Sequence, residues 1–207
     1  MRNYTENNNK SELKDSFSNI LIDLKRQMEL IIEINKPLAN KKKLILTLNY
    51  DQAIYPYLIG DPDRVQRIAL ELITNAIKFT EQGKVTLIVR LIRSNYQESI
   101  IEIAVSDTGI GISKDQRKKM FHRFNRLTSS CKGVYKGGYF GLSIVKQFVD
   151  DLQGEIFVKS KEGEGTILGC FIPFQHSLTM NYSSGTHKPI SLLRRSIWRK
   201  HDMEVTN

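Results

Sequence analysis

Glu71, Asn75 and Lys78 stand in the segment ELITNAIKFT, residues 71–80, four and then three positions apart. On a helix those spacings form one stripe. An acid, an amide and a base then look one way, while Ile68, Ala69, Leu72, Ile73, Ala76 and Ile77 are free to pack. An amide oxygen is a hard donor for a cation such as Mg²⁺. An ammonium group is a point charge for phosphate, and a carboxylate can take a proton from water. The bland alternative is a solvated helix face with a chance charge pair.

Downstream, SDTGIGI puts Asp107 at the end of an apolar run, followed by Gly109 and Gly111. A carboxylate there can accept a hydrogen bond from an exocyclic amine, and the glycines let a flat ring approach the backbone. A tight turn favours the same residues. The run GVYKGGYFGLSIVKQ leads Gly133, Gly137, Gly138 and Gly141 into a helix start, a ready site for phosphate. A loop that merely needs flexibility looks alike. In MFHRFNRL, Phe121 and Phe124 either cap a core or anchor the loop beside them. Arg126 either reaches a ligand or is solvated.

These residues need elements to hold them. Apolar residues at helical spacing predict a helix from about Glu12 to Asn35, broken near Ser18–Ile22, with Pro37 near its end. KLILTLNY alternates as a strand. DPDRVQRIALELITNAIKFT opens on Asp then Pro and predicts a helix to about Phe79. KVTLIVRLIRS and SIIEIAVSD are strands joined by the turn NYQE, and KDQRKKMF is a short helix. Residues 122–140 form a long loop. GLSIVKQFVDDLQ is a helix that Gly154 terminates, and EIFVKS and GTILGCFIPF are strands split by KEGEG. The class is α+β: a two-layer sandwich, helices on one face of a mixed, mostly antiparallel sheet. After Phe174 the periodicity dissolves into a linker. ISLLRRSIWRKHDM beyond it reads as a loosely ordered tail or a short basic amphipathic helix.

Composition narrows the function. The chain has 207 residues, 40% apolar and 26% charged, an ordinary balance for a globular domain. Its net charge of +9 is spread along the chain without interleaved aromatics, so no nucleic acid is expected as a partner. There is no membrane-spanning apolar run, and MRNYTENNNK is not a signal sequence. Cys131 and Cys170 lack metal-ligand spacing and read as thiols in a reducing cytosol, a disulfide being the alternative.

Taken together and in order, ELITNAIKFT, SDTGIGI, MFHRFNRL, GGYFGLSIVK and GEGTILGCFIPF resemble the successive boxes of the ATP-binding domain of sensor histidine kinases. NKPLANKKKLILTL and GDPDRVQRI look like the start of that domain. The resemblance covers residues 22–174 and implies the Bergerat (GHKL) sandwich shared with gyrase, MutL and heat-shock chaperone ATPases. Residues 1–11 are then a disordered segment, 12–21 the remnant of a connection to a dimerisation domain, and 175–207 a basic linker and tail.

The resemblance also implies roles. Asn75 holds Mg²⁺ against the ATP phosphates, with Glu71 a second candidate ligand, and Lys78 contacts phosphate. Asp107 binds the adenine amine above Gly109 and Gly111. Residues 112–140 form the ATP lid, anchored by Phe121 and Phe124, with Arg126 reaching the γ-phosphate. Gly137, Gly138, Tyr139, Gly141, Leu142 and Thr166 complete the ATP-binding set. The implied activity is donation of the γ-phosphate of Mg-ATP to a histidine in two-component signalling, with a response regulator as the later partner and a cytoplasmic setting.

Three departures qualify this. His122, His176, His187 and His201 do not resemble an acceptor box, so the acceptor is expected on a dimerisation domain in cis in a longer protein or in trans. Tyr139 stands where the family has glycine. Glu71 stands where many of these kinases have asparagine and gyrase-like ATPases have a catalytic glutamate. Two alternatives follow: a free-standing ATPase with Glu71 as base, and a degenerate, non-catalytic nucleotide-binding module.

Overall fold

The computed structural model describes residues 19–118, 120–121 and 140–176. Its elements are β1 (Ile20–Ile22), α1 (Leu24–Lys41), β2 (Ile45–Tyr50), β3 (Leu58–Gly60), α2 (Pro62–Phe79), β4 (Lys84–Ser94), β5 (Glu98–Asp107), α3 (Lys114–Arg117), α4 (Phe140–Asp151), β6 (Glu155–Lys161) and β7 (Gly165–His176).

One mixed sheet runs β1-β3-β7-β5-β4-β2, with β6 also on β7. Only β2 and β4 pair in parallel. β7 is the spine. β5 runs along one of its edges from Thr166 to Gln175, and the other edge is shared by β6 and β3. This register sets Asp107 opposite Thr166. Strand alternation points Ile101, Ile103 and Val105 of β5 to the same face as Leu168, Cys170 and Ile172 of β7. Helices α1, α2 and α4 cover that face with Met28, Ile31, Ile73, Ile77, Val145 and Val149, all fully buried. On the reverse face a smaller cluster is built from strand residues around Ile100, Ala104, Phe157 and Phe171.

α2 forms where it does for local reasons. The Asp61 carboxylate accepts from the Arg64 N–H at 3.0 Å, Pro62 occupies the first turn, and the apolar period buries one face. No helix among the described residues is long and apolar enough to cross a membrane.

The expected class and most elements are present, with five differences, the first being β3 itself, a short strand at Leu58–Gly60 that the sequence does not announce. Ile20–Ile22, where the expected helix breaks, is a strand on β3. α1 then starts at Leu24 and continues through Pro37 to Lys41, because burial of Ala39 favours one more turn than the proline alone suggests. α3 is only four residues long. At the end of α4 the left-handed residue is Gln153 (φ 56°), not Gly154. Gly154 is small for another reason: a Cβ there would meet the Phe171 carbonyl oxygen at 2.5 Å. The segment 1–11, most of the connection expected at 12–21, the lid from 122 to 139 and the tail beyond His176 lie outside the described residues.

Candidate nucleotide site

An open cleft lies where α2 faces the ends of β5 and β7. Asn75 and Phe79 of α2, Asp107 of β5, Gly111 and Ile112 of the following loop, and Thr166 of β7 line it, closed at the base by apolar residues that include Met120. Four expected site residues, Asn75, Asp107, Gly111 and Thr166, therefore share one cavity.

The Asp107 end is the more tightly built. One carboxylate oxygen of Asp107 accepts from the Gly109 N–H at 2.8 Å. Desolvation raises the Asp107 pKa above the usual carboxylate value, and the backbone hydrogen bonds from Gly109 and Thr166 oppose that rise. Gly109 sits between that carboxylate and the Phe79 carbonyl, which fills the place of a Cβ. Gly111 has φ +69°, and a Cβ there would run into the Lys161 carbonyl. The loop is tied on both sides: Ile110 N–H donates to Phe79 O at 3.3 Å, and Gly163 N–H to Ile110 O at 2.8 Å. The Ser160 hydroxyl accepts from Ile112 N–H at 2.8 Å, donates to Gly165 O at 2.9 Å and lies 2.9 Å from the Thr166 hydroxyl.

The Asn75 end is different. The side-chain amide nitrogen of Asn75 is buried and has no hydrogen-bond partner among the described residues. Such a group calls for a ligand or water. A half-turn of the amide presents its oxygen instead, the kind of hard donor that Mg²⁺ accepts. No cluster of three or more His, Cys, Asp or Glu suited to a metal occurs among the described residues. A cation beside Asn75 would thus take most of its ligands from phosphate and water, the usual habit of Mg²⁺.

Other expected site residues lie beside the cleft, not on its lining. Glu71 meets the Arg67 guanidinium at 2.6 Å, and its other carboxylate oxygen fills the space a Cβ would need at Gly141. That is why residue 141 is glycine, whatever room it also gives a phosphate. Lys78 has its ammonium 5.0 Å from the Phe79 ring centre, and burial lowers its pKa. Leu142, also expected in the ATP-binding set, is the third residue of α4 and is fully buried in the main core. Phe121 is half-buried against the same core. Phe124, Arg126, Gly137, Gly138 and Tyr139 lie outside the described residues. Cys170 is a buried free cysteine whose thiol is pushed up by burial.

Sequence reasoning missed Phe79 and Met120 as lining residues and Ser160 as a brace. The signal for Ser160 was available: alternation along EIFVKS puts a hydroxyl at an inward position after Ile156 and Val158.

The family model for histidine kinase-, DNA gyrase B- and HSP90-like ATPases matches residues 60–176. The signal transduction histidine-protein kinase BarA of Escherichia coli is 31% identical over 143 residues, covering 69% of this chain and 16% of that protein. The autoinducer 2 sensor kinase/phosphatase LuxQ of Vibrio cholerae is 34% identical over 152 residues, covering 73% and 18%. Hybrid signal transduction histidine kinase F of Dictyostelium discoideum is 33% identical over 135 residues, covering 65% and 12%. The chain thus spans less than a fifth of the length of these relatives. Among solved structures, full-length ShkA in complex with AMPPNP superposes with a TM-score of 0.65 at 24% identity, over 78% of this chain and 32% of that one. The mycobacterial sensor histidine kinase MprB gives 0.58 at 22%, over 75% and 97%. Both likenesses bear on the fold.

Proposed function

The chain belongs to the histidine kinase-, DNA gyrase B- and HSP90-like ATPase family, and we propose that it is the ATP-binding, phosphoryl-donating part of a two-component histidine kinase. One observation carries the reading furthest: a cleft lined both by a desolvated carboxylate and by an amide whose buried nitrogen has no partner among the described residues. Asp107 accepts from the adenine amine, and the small loop after it lets the ring lie against backbone. The triphosphate extends toward Asn75 and the start of α4. Asn75 would hold Mg²⁺ through its amide oxygen, and Lys78 would add positive charge from the next turn. The metal, when bound, neutralises charge on the phosphate oxygens. The chain's residues supply position: they hold the γ-phosphorus open to a histidine nitrogen of a dimerisation domain, in cis in a longer protein or in trans. The nitrogen attacks, the bond from γ-phosphorus to the bridging oxygen breaks, and ADP leaves with the electron pair. A response regulator receives the phosphoryl group next.

Glu71 is assigned a supporting role. Its engagement by Arg67 and its contact with Gly141 speak against use as a free base on water.

The test is transfer of label from γ-³²P-ATP to a supplied dimerisation domain. Acid-labile, base-stable label on that domain, dependent on Mg²⁺ and lost in Asn75→Ala, is expected. Steady release of phosphate that Glu71→Gln abolishes, with no label transferred, would overturn the proposal in favour of an ATPase.

A further inference from the structure

Lys42 is a lysine among three, at the end of a helix that does not line the cleft. Its ammonium nevertheless donates to three carbonyls at the far end of α2: Ile77 O at 3.0 Å, Lys78 O at 2.9 Å and Thr80 O at 3.1 Å. It also lies 3.6 Å from the Glu81 carboxylate, and its side chain is only 23% exposed. The last carbonyls of a helix have no partner within it and carry the negative end of its dipole, so a cation placed there both satisfies and attracts them. An ammonium has three N–H bonds to give.

The aim of Lys42 is itself fixed. Lys43 adopts φ +57°, and the chain closes on α1 through Lys43 N–H to Asn40 O at 2.9 Å and Leu44 N–H to Ala39 O at 3.0 Å. This is the double bond that ends helices at a left-handed residue. α1 is thereby ended so that the side chain of its C-cap residue, Lys42, caps α2.

The carbonyls that Lys42 holds flank Phe79, whose own carbonyl accepts from Ile110 and blocks a Cβ at Gly109. We propose that Lys42 is a positioning residue of the nucleotide site: by clamping the carboxyl end of α2 it fixes Phe79 O and, through it, the Asp107–Gly111 loop. Lys42 acts on the base-recognising end of the cleft and leaves the Asn75 end to itself. This rests on the assignment of the cleft to ATP.

The experiment compares the parent chain, Lys42→Met and Lys42→Arg at a temperature where circular dichroism shows all three folded. Amide exchange is followed without ligand. In Lys42→Met the Ile110 amide is expected to exchange at least ~10-fold faster, while Ile103 in mid-sheet is unchanged. Equal Ile110 protection in parent and variant overturns the inference, whatever the ligand. Binding of ATP, adenosine and inorganic triphosphate is then titrated. Lys42→Met is expected to weaken ATP and adenosine by a similar factor of about 5–10, or about 1 kcal/mol. Triphosphate binding should hold, and Lys42→Arg should recover part of the loss. Equal weakening of all three ligands would mean general loosening of α2 and would also overturn it. A parent chain that binds neither ATP nor adenosine defeats the assignment of the cleft, and the exchange result still decides the clamp.

Discussion

The two ends of the cleft are built on opposite plans. At the Asp107 end the protein supplies partners of its own: Gly109 N–H on the carboxylate, Phe79 O for Ile110 N–H, Lys161 O against Gly111, Ser160 between the Ile112 loop and β7. At the Asn75 end a buried amide nitrogen has no partner among the described residues, on a helix whose neighbouring acid is already engaged by Arg67. The first plan suits a rigid ring that must be matched in shape before it arrives. The second suits a charged group that brings its own cation and water. A preformed end costs little to order on binding, whereas an incomplete end gains most from the ligand that completes it.

The contrast is tested most severely at Asn75. Asn75→Ala removes an amide whose nitrogen no described residue satisfies. Phosphoryl transfer is expected to fall about 10²–10³-fold, the range for losing one preorganised polar contact to developing charge. Ligand-free stability should stay level or rise, since the amide removed has a buried nitrogen that no described residue satisfies. Isothermal titration with and without Mg²⁺, beside the transfer rate, separates the two. Parent-like, Mg²⁺-dependent transfer would erase the distinction between the ends.

Asp107→Asn comes next. Asparagine keeps the oxygen that accepts from Gly109 but not the charge, so ATP binding should weaken by about 1.5–3 kcal/mol, the range for a charge-assisted bond. The pH dependence has a definite sign. Burial raises the Asp107 pKa in the folded chain above 3.8, so the fold binds this proton more readily than the unfolded chain does. Its contribution to ligand-free stability therefore falls as pH rises from the unfolded value through the folded one. ATP affinity moves the other way and is lost as acidification protonates the acceptor. The Asn variant should show neither slope, as thermal melts and titrations across the acid range would report. A wild-type affinity flat through that range would remove the carboxylate from base recognition.

How much of this was visible beforehand follows the reach of each interaction. α2 was legible because its signals are local: Asp61 and Pro62 at the start, one apolar period, three polar residues on one stripe. The Asp107–Gly111 loop was legible because positive φ and close approach leave glycine as their mark. β1 was not, because three residues become a strand only by meeting β3, nearly forty positions on. Lys42 was not, since its acceptors lie 35, 36 and 38 residues away and nothing in a run of lysines marks one of them. Leu142 was assigned to the ligand through its neighbours in a motif, whereas the helical period turns it to the sheet. Motif membership picked out four residues that line one cleft, and side-chain direction turns Leu142 into the core.

Two smaller effects sharpen the picture of the closed end. Gly111→Ala forces a left-handed φ on a residue with a Cβ and drives that Cβ into the Lys161 carbonyl. A loss of about 1–3 kcal/mol is expected, read as a lower melting temperature and as weaker adenosine binding together, because one loop carries both.

Ser160→Ala is the gentlest probe and the most specific. It leaves Ile112 N–H without its side-chain acceptor and frees Gly165 O and the Thr166 hydroxyl from their common partner. No lining atom is removed, so any effect on the ligand must pass through the position of the loop. About 1 kcal/mol of stability should be lost, and ATP affinity should weaken by a few-fold. The maximal transfer rate should stay that of the parent, because the Asn75 end is untouched. A variant with the parent's KM and a lowered maximal rate would reverse that division. It would mean that the brace on β6 and β7 acts on the phosphates and that the two ends of the cleft are one mechanical unit.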